Sequence, residues 1–298
     1  MSSIIPVFQR HSPCIGVCRL DESSGLCLGC ARTAPEIAGW STIGEAARDA
    51  LWEQLPERLE SLGARLRLAP WTGEEILAWA AGTVRDRQGT WVVGAPGASA
   101  EFPWTDDREV SVAADAEGVT VRAPDASFRL TASDKLRAFV FADGPVVLAY
   151  PKVRISLARF SELTALGADF DAIDTEHREQ EVFDLGLGRQ FSRFCLRTSD
   201  ASLLKVLRDL KGRRWTEVMA AAGGDLVAAN PARVVETMLV RVEVFSPIAP
   251  TLGAPATGAR THFLPPLLAA GEEIDAALKL PDWVAPIAVF YPRGSGHS

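Results

Sequence analysis

Long apolar runs are missing from this sequence. The most apolar stretch, Ala138 to Tyr150, is broken by Asp143, Gly144 and Pro145, and nothing approaches the ~18–20 apolar residues of a membrane helix. No membrane association is expected. A secretory leader is not expected either, because Arg10 closes the one short apolar segment at the start and no apolar core of about 7–15 residues follows a basic start. The expected location is the cytoplasm. Glycine and proline, 24 and 19 of 298 residues, are too few for a disordered or collagen-like chain. Basic residues are outnumbered, 31 against 38 acidic, and the net charge is −7. Residues 1–60 share this deficit, with five Arg and no Lys against eight Asp or Glu. A nucleic-acid partner or an anionic membrane surface would call for the opposite balance.

The usual signatures of nucleotide and hydrolase sites are also missing. Gly186-Leu187-Gly188 stops short of a dinucleotide fingerprint, and no P-loop, Gly-x-Ser-x-Gly or His-Glu-x-x-His is present. Histidines number four, and His297 lies in a Gly/Ser tail.

What is present is a cluster of cysteines. Four of the five, Cys14, Cys18, Cys27 and Cys30, fall in a C-x3-C-x8-C-x2-C pattern, and Cys195 stands apart. Each close pair can aim two sulfurs from one tight turn at one ion, and two pairs make a four-thiolate shell. A disulfide framework would need an oxidising compartment. A Cys27–Cys30 redox pair would lack its βαβ setting and leave Cys14 and Cys18 unexplained. Gly16, Gly25 and Gly29 suit the backbone of metal-binding turns. Pro13 fixes the entry, and Arg19 and Arg32, each next to or near a cysteine, offset thiolate charge. His11 is a conceivable further ligand, though a solvated N-terminal position is its ordinary reading.

These residues carry a resemblance. Ser12, Pro13, Cys14 and Cys18, then Gly25, Cys27, Gly29, Cys30, Arg32 and Thr33, then Glu36, Ile37 and Trp40 resemble the YdhL-like family of short bacterial proteins labelled as predicted iron–sulfur proteins. The likeness covers about residues 11–60. It implies an iron–sulfur cluster on the four cysteines, and no reaction. Spacing alone admits zinc equally, since both use four thiolates, and two separated pairs look more like a zinc ribbon. The expected cofactor is an iron–sulfur cluster, with zinc as the alternative, and the expected partner is a protein or an electron-transfer partner.

The expected fold class is α+β. Residues 1–65 form a small four-cysteine module with a helical tail, and residues 66–298 form an α+β domain with an antiparallel sheet. Thr33–Glu36, Thr42–Glu45 and Thr72–Glu75 read as capping boxes opening three helices. Pro56 should kink or divide the second, and Trp40 and Trp52 should pack over the metal loop. Residues 63–71 read as a connector. From Gly89 to Tyr150, short β-type runs separated by Gly, Pro and Asp turns predict an antiparallel meander. Residues 156–166 read as a helix. Asp200 caps another, and Trp215–Ala222 is a short helix stopped at Gly223-Gly224. Val234–Phe245 reads as one strand, residues 246–260 as loop, Leu264–Leu268 and Glu272–Leu278 as helical, and Ile287–Tyr291 as a last strand. Strands first and helices later argue against a doubly wound sheet.

Two places in the large domain could carry chemistry. Arg260, Thr261 and His262 sit together in a Gly/Pro-rich stretch read as a surface loop, where they could bind an anionic ligand or move a proton. This allows a second class of function, an enzyme holding a small ligand there. His177 lies in a charged run in which Asp174 and Glu181, one helical turn to either side, would share its face, although such runs are usually solvated. Cys195, between Phe194 and Leu196, reads as a buried small residue.

Overall fold

The computed structural model describes residues 11–95, 98–104, 106–152, 161–187, 192–248, 260–263 (backbone only) and 278–294. The fold is α+β, with five α-helices and two antiparallel sheets among the described residues. No helix there is long and apolar enough to cross a membrane.

Two of the three capping boxes form. Thr33 Oγ1 accepts from Glu36 N–H and the Glu36 carboxylate accepts from Thr33 N–H, opening α1 (Ala34–Gly39). Thr72 and Glu75 do the same for α3 (Gly73–Arg85). The Thr42–Glu45 box does not form: Thr42 Oγ1 donates to Gly39 O at 2.8 Å, and α2 (Glu45–Ser61) starts from Gly44 with no side-chain cap. Helix α2 runs on through Pro56. Its Leu51, Trp52, Leu55 and Leu59 are buried together, and that packing outweighs the missing donor.

The expected meander is two sheets. A seven-stranded sheet contains β1 (Leu66–Leu68), β2 (Gly89–Ala95), β3 (Ala98–Pro103), β7 (Arg137–Phe141), β8 (Val146–Pro151), β14 (Arg260–Phe263) and β15 (Val284–Pro292), in the order β1-β7-β8-β15-β2-β3-β14. An eight-stranded sheet contains β4 (Ser111–Ala114), β5 (Gly118–Ala123), β6 (Ala126–Thr131), β9 (Thr164–Ala168), β10 (Glu181–Asp184), β11 (Ser192–Thr198), β12 (Ala232–Thr237) and β13 (Val240–Val244), in the order β4-β5-β6-β13-β12-β11-β10-β9. Consecutive strands β6 and β7 thus lie in different sheets. The two sheets face each other across one core, where Trp91 and Phe102 from one meet Phe128 from the other, with ring centroids 6.4 and 5.0 Å apart. Helices α3, α4 (Ala201–Asp209) and α5 (Trp215–Ala229) send Ile76, Leu207, Val218 and Leu226 into the same core.

Strand alternation gives the seven-stranded sheet a second apolar face. Trp91, Leu148 and Phe290 point to the shared core, whereas Val92, Phe139, Val147, Val289 and Tyr291 form a cluster with Leu51, Trp52, Leu55 and Leu59 of α2 and with Ile15. The cysteine-bearing segment is therefore packed on the outer face of that sheet.

Several expectations need correction. The connector 63–71 contains β1, which pairs with β7. Of residues 156–166, those from Thr164 onward are strand β9, held by β10, and residues 153–160 lie outside the described residues. Helix α5 continues through Gly223-Gly224 to Ala229, because Val218, Ala222 and Leu226 at four-residue spacing are buried. That burial outweighs a cost of about 1 kcal/mol per helical glycine, and the stop is Asn230, at φ 45°. Val234–Phe245 is a hairpin of β12 and β13, not one strand. The helical readings at Leu264–Leu268 and 272–277, and most of the loop 246–260, lie outside the described residues.

Candidate functional site

The four cysteines of the N-terminal segment share one knuckle. Antiparallel bridges Leu20↔Cys27 and Leu26↔Thr33 fold residues 20–33 into a hairpin-like ribbon. The turn between is set by Asp21, whose carboxylate accepts from Ser23 and Ser24, and these bonds lower its pKa to about 2. Gly16 and Gly25 take positive φ, 84° and 70°, which L side chains rarely adopt. Gly29 is needed for a different reason: a Cβ there would lie 2.6 Å from Val17 O. The first cysteine arm passes that close to the second. The Cys27 thiol donates to the same Val17 carbonyl at 3.0 Å.

The sulfurs sit in a graded environment. Cys27 and Cys30 are buried, Cys14 is half-buried and Cys18 is exposed. Gly16 N–H donates to Cys14 Sγ, and Arg32 Nε donates to Cys30 Sγ, both at 3.4 Å. The charge of Cys14 beside it is the main reason the Cys18 thiol titrates above its ordinary value, with Cys27 adding to it and Arg32 opposing. Burial pushes Cys27 up, but backbone N–H groups of Gly29 and Cys30 more than offset that, so its thiol titrates below its ordinary value. Burial raises Cys30, against the pull of Arg32. Arg32 is 2% exposed, its guanidinium lies 5.0 Å from the Trp40 ring centroid, and among the described residues its Nη1 has no hydrogen-bond partner. A cation buried without a carboxylate beside it is costly unless negative charge is near. Deprotonation of the cysteines around it, as metal binding requires, would supply that charge.

The donor set is therefore chemically suited to a soft metal. The sulfurs stand as two pairs, and among the described residues no three His, Cys, Asp or Glu side chains are gathered into a preformed shell. His11 is not simply solvated: it is half-buried, edge-on to Trp52 with centroids 5.9 Å apart, and its carbonyl accepts from Trp52 Nε1 at 3.3 Å. Trp52 belongs to the apolar cluster under the knuckle, and Trp40 packs against that cluster.

The large domain holds a second polar concentration, on the outer face of the eight-stranded sheet. Here Arg241 and Glu243, alternating with the core-facing Val240, Val242 and Val244, and Arg197 on β11 are charged and still buried. Arg197 donates to Asp169 at 3.0 Å and Glu243 at 2.7 Å, and Arg241 pairs with Asp169, Glu236 and Glu243. Residues 169–180 fold over this face: Ile173 N–H donates to Glu243 at 3.0 Å and Arg122 pairs with Asp174 at 2.6 Å. Burial opposes ionisation of Glu243, but Arg241 and Arg197 hold its carboxyl below the usual range. The alternation in β13 was visible in sequence, but an alternating charged face ordinarily meets water. What covers it could not be read.

The helical face proposed for His177 does not exist. Thr175–His177 is a single 3₁₀ turn, and Glu181 lies in β10 paired with Arg208. His177 meets Arg197 instead, Nδ1 to Nη2, at 3.1 Å. Arg260, Thr261 and His262 are strand β14 rather than loop, opposite Glu101, Ala100 and Ser99 of β3. Cys195 is fully buried, and its thiol is pushed well up, first by burial. Opposite it in register, Asp184 accepts from Gly186 N–H at 2.8 Å through Oδ1, while Oδ2 has no partner, and burial raises its pKa to about 6.

Residues 75–297 match the model of a family of unknown function, DUF6925. The chain belongs to DUF6925. Residues 12–59 are similar to a second family, described as a protein of unknown function, DUF1289. No curated protein and no solved structure matches the chain. The DUF6925 match contains both sheets except β1, all of α4 and α5, and the buried-charge face. The DUF1289 match contains the four clustered cysteines, α1 and most of α2.

Sequence reasoning missed one residue on the DUF6925 side of the cysteine site. Trp283, just before β15, donates from Nε1 to Ile15 O at 2.8 Å. No spacing rule connects residues so far apart in the chain.

Proposed function

We propose that Cys14, Cys18, Cys27 and Cys30 are the ligands of a soft metal centre, an iron–sulfur cluster, and that residues 1–65 are a redox or interaction module borne by the DUF6925 domain of residues 66–298. The observation that carries this reading is the buried Arg32, which among the described residues meets no carboxylate and donates to Cys30, in the segment that bears all four thiols. The N–H···S bond from Gly16 and the lowering of the Cys27 thiol by backbone N–H groups support it further. Cys18 is the exposed member of the four. When bound, an iron–sulfur cluster supplies one-electron chemistry. Zinc is the second reading, favoured by the Leu20↔Cys27 bridge, which joins the two pairs as a ribbon. It would supply folding energy to a segment whose own core is small.

Anaerobic purification followed by metal and acid-labile sulfide analysis tests this. Iron and sulfide with visible absorbance are expected, and lost on Cys14→Ser, Cys18→Ser, Cys27→Ser or Cys30→Ser but kept on Cys195→Ser. One colourless zinc per chain would replace the first reading by the second. A protein that takes neither metal, or loses it equally on Cys195→Ser, would refute both.

A further inference from the structure

The cysteine knuckle is clamped by two indoles from opposite ends of the chain. Trp52, on α2, donates to His11 O at 3.3 Å, and Trp283 donates to Ile15 O at 2.8 Å. The two acceptors flank Cys14. Gly16, next in line, serves both neighbours: its N–H goes to Cys14 Sγ, and its Cα lies against the Trp283 ring so closely that a Cβ would stand 2.9 Å from Cδ1. With φ at 84° as well, this position accepts only glycine. Trp283 is itself fixed. Its carbonyl accepts from Lys152 N–H at 2.8 Å, its ring meets Phe139 edge-on at 6.2 Å, and β15 begins at the next residue. Among the described residues the Cys27–Cys30 arm has no such bond from the β15 side: Arg32 within the ribbon and the bond from Arg58 of α2 to Ala31 O at 3.4 Å hold it.

We infer that Trp283 is a positioning residue for the Cys14–Cys18 arm, so that the thiol site of the DUF1289-like segment is completed by the DUF6925 domain. The inference extends the four-thiol reading above, but the placement of the arm does not depend on which metal binds, or on whether one does. The indole N–H fixes the carbonyl between Cys14 and Gly16, and the ring face fixes the turn that carries Cys14 and Cys18 toward Cys27. Partners of this kind, one step removed from the ligands, typically change metal affinity by about 10–100-fold when removed.

The test uses the full chain, reduced and metal-free, with Trp283→Phe, Trp283→Ala and Gly16→Ala. The last variant acts from the knuckle side and leaves the start of β15 intact. Alkylation rates of each cysteine are read by mass spectrometry, and Co²⁺ alone is then titrated, with thiolate-to-cobalt absorbance reporting ligation. The expected result is selective. Cys14 alkylates faster than in wild type in Trp283→Ala and Gly16→Ala and less so in Trp283→Phe, which keeps a ring, while Cys27, Cys30 and Cys195 keep their wild-type rates. Co²⁺ affinity should fall in the same order. Unchanged Cys14 and Cys18 rates would overturn the inference. So would a uniform rise at all five cysteines, which would make Trp283 a support of the fold alone. If wild-type protein takes no Co²⁺, the metal reading falls, and the alkylation pattern still decides the role of Trp283.

Discussion

The two polar concentrations of this molecule solve the same electrostatic problem differently. On the outer face of the eight-stranded sheet, Arg197 and Arg241 are each matched by carboxylates within the fold, Asp169, Glu243 and Glu236, and residues 169–180 seal them in. The charges balance internally, even though Arg197 Nε itself has no hydrogen-bond partner among the described residues. In the cysteine knuckle they do not: Arg32 is buried beside sulfur with no carboxylate partner among the described residues, and the thiols grade from buried to exposed. Abundance of buried charge is thus a poor guide to function. The side that remains incomplete without something from outside is the better candidate.

The contrast can be broken most sharply at Arg197. Arg197→Ala leaves Asp169 and Glu243 buried without it, and denaturant unfolding should show a loss of about 3–5 kcal/mol. In the knuckle, Arg32→Ala in metal-free protein should cost far less, because its thiol partners can remain neutral. Comparable losses would erase the distinction.

A second comparison lies within the sheet face, where Asp184 has a buried oxygen, Oδ2, with no hydrogen-bond partner among the described residues. Its pKa in the fold, about 6, is raised from 3.8 by burial. The folded protein therefore binds the proton more tightly than the unfolded chain. This contribution is present below pH ~4 and lost as the pH rises through 6, on the order of 3 kcal/mol in all. Asp184→Asn, which keeps the acceptor for Gly186 N–H, should flatten that segment of the stability–pH curve and gain most above pH 6. A parallel curve for wild type and variant would show that Asp184 is not strained.

Smaller effects test whether the helices around these regions follow local rules. Thr72→Ala removes one side of the α3 capping box and should cost ~1 kcal/mol in thermal or denaturant unfolding. Gly224→Ala in α5, where a Cβ meets nothing within 4 Å, should stabilise by about 0.5–1 kcal/mol. A loss there would mean that α5 uses its glycines for contact.

What could be read from sequence was local. The capping boxes at Thr33 and Thr72, the strands around Trp91, Phe128 and Val147, and the grouping of four cysteines each depend on residues a few positions apart. The errors share a cause. Gly223-Gly224 looks like a stop in sequence because its propensity is visible and the burial of Val218 and Leu226 is not. Arg260 to His262 looks like a loop because its partner strand, with Glu101 to Ser99, is far away in the chain. The α+β class survives these errors, since it needs only the kinds of element. Sheet membership, the covering of the charged face and the part played by Trp283 are properties of long-range pairing.

One of those pairings bears on how the protein is made. Strand β15 lies between β8 and β2, in the interior of the seven-stranded sheet, yet it is the last of the described strands to leave the ribosome. Until it does, β8 and β2 are two open edges whose backbone groups await a partner, the arrangement most prone to pairing with another chain. Trp283 emerges just ahead of β15, so the same late event that closes the sheet also places the indole against the cysteine loop. The nascent chain thus makes its thiols early and finishes their surroundings last.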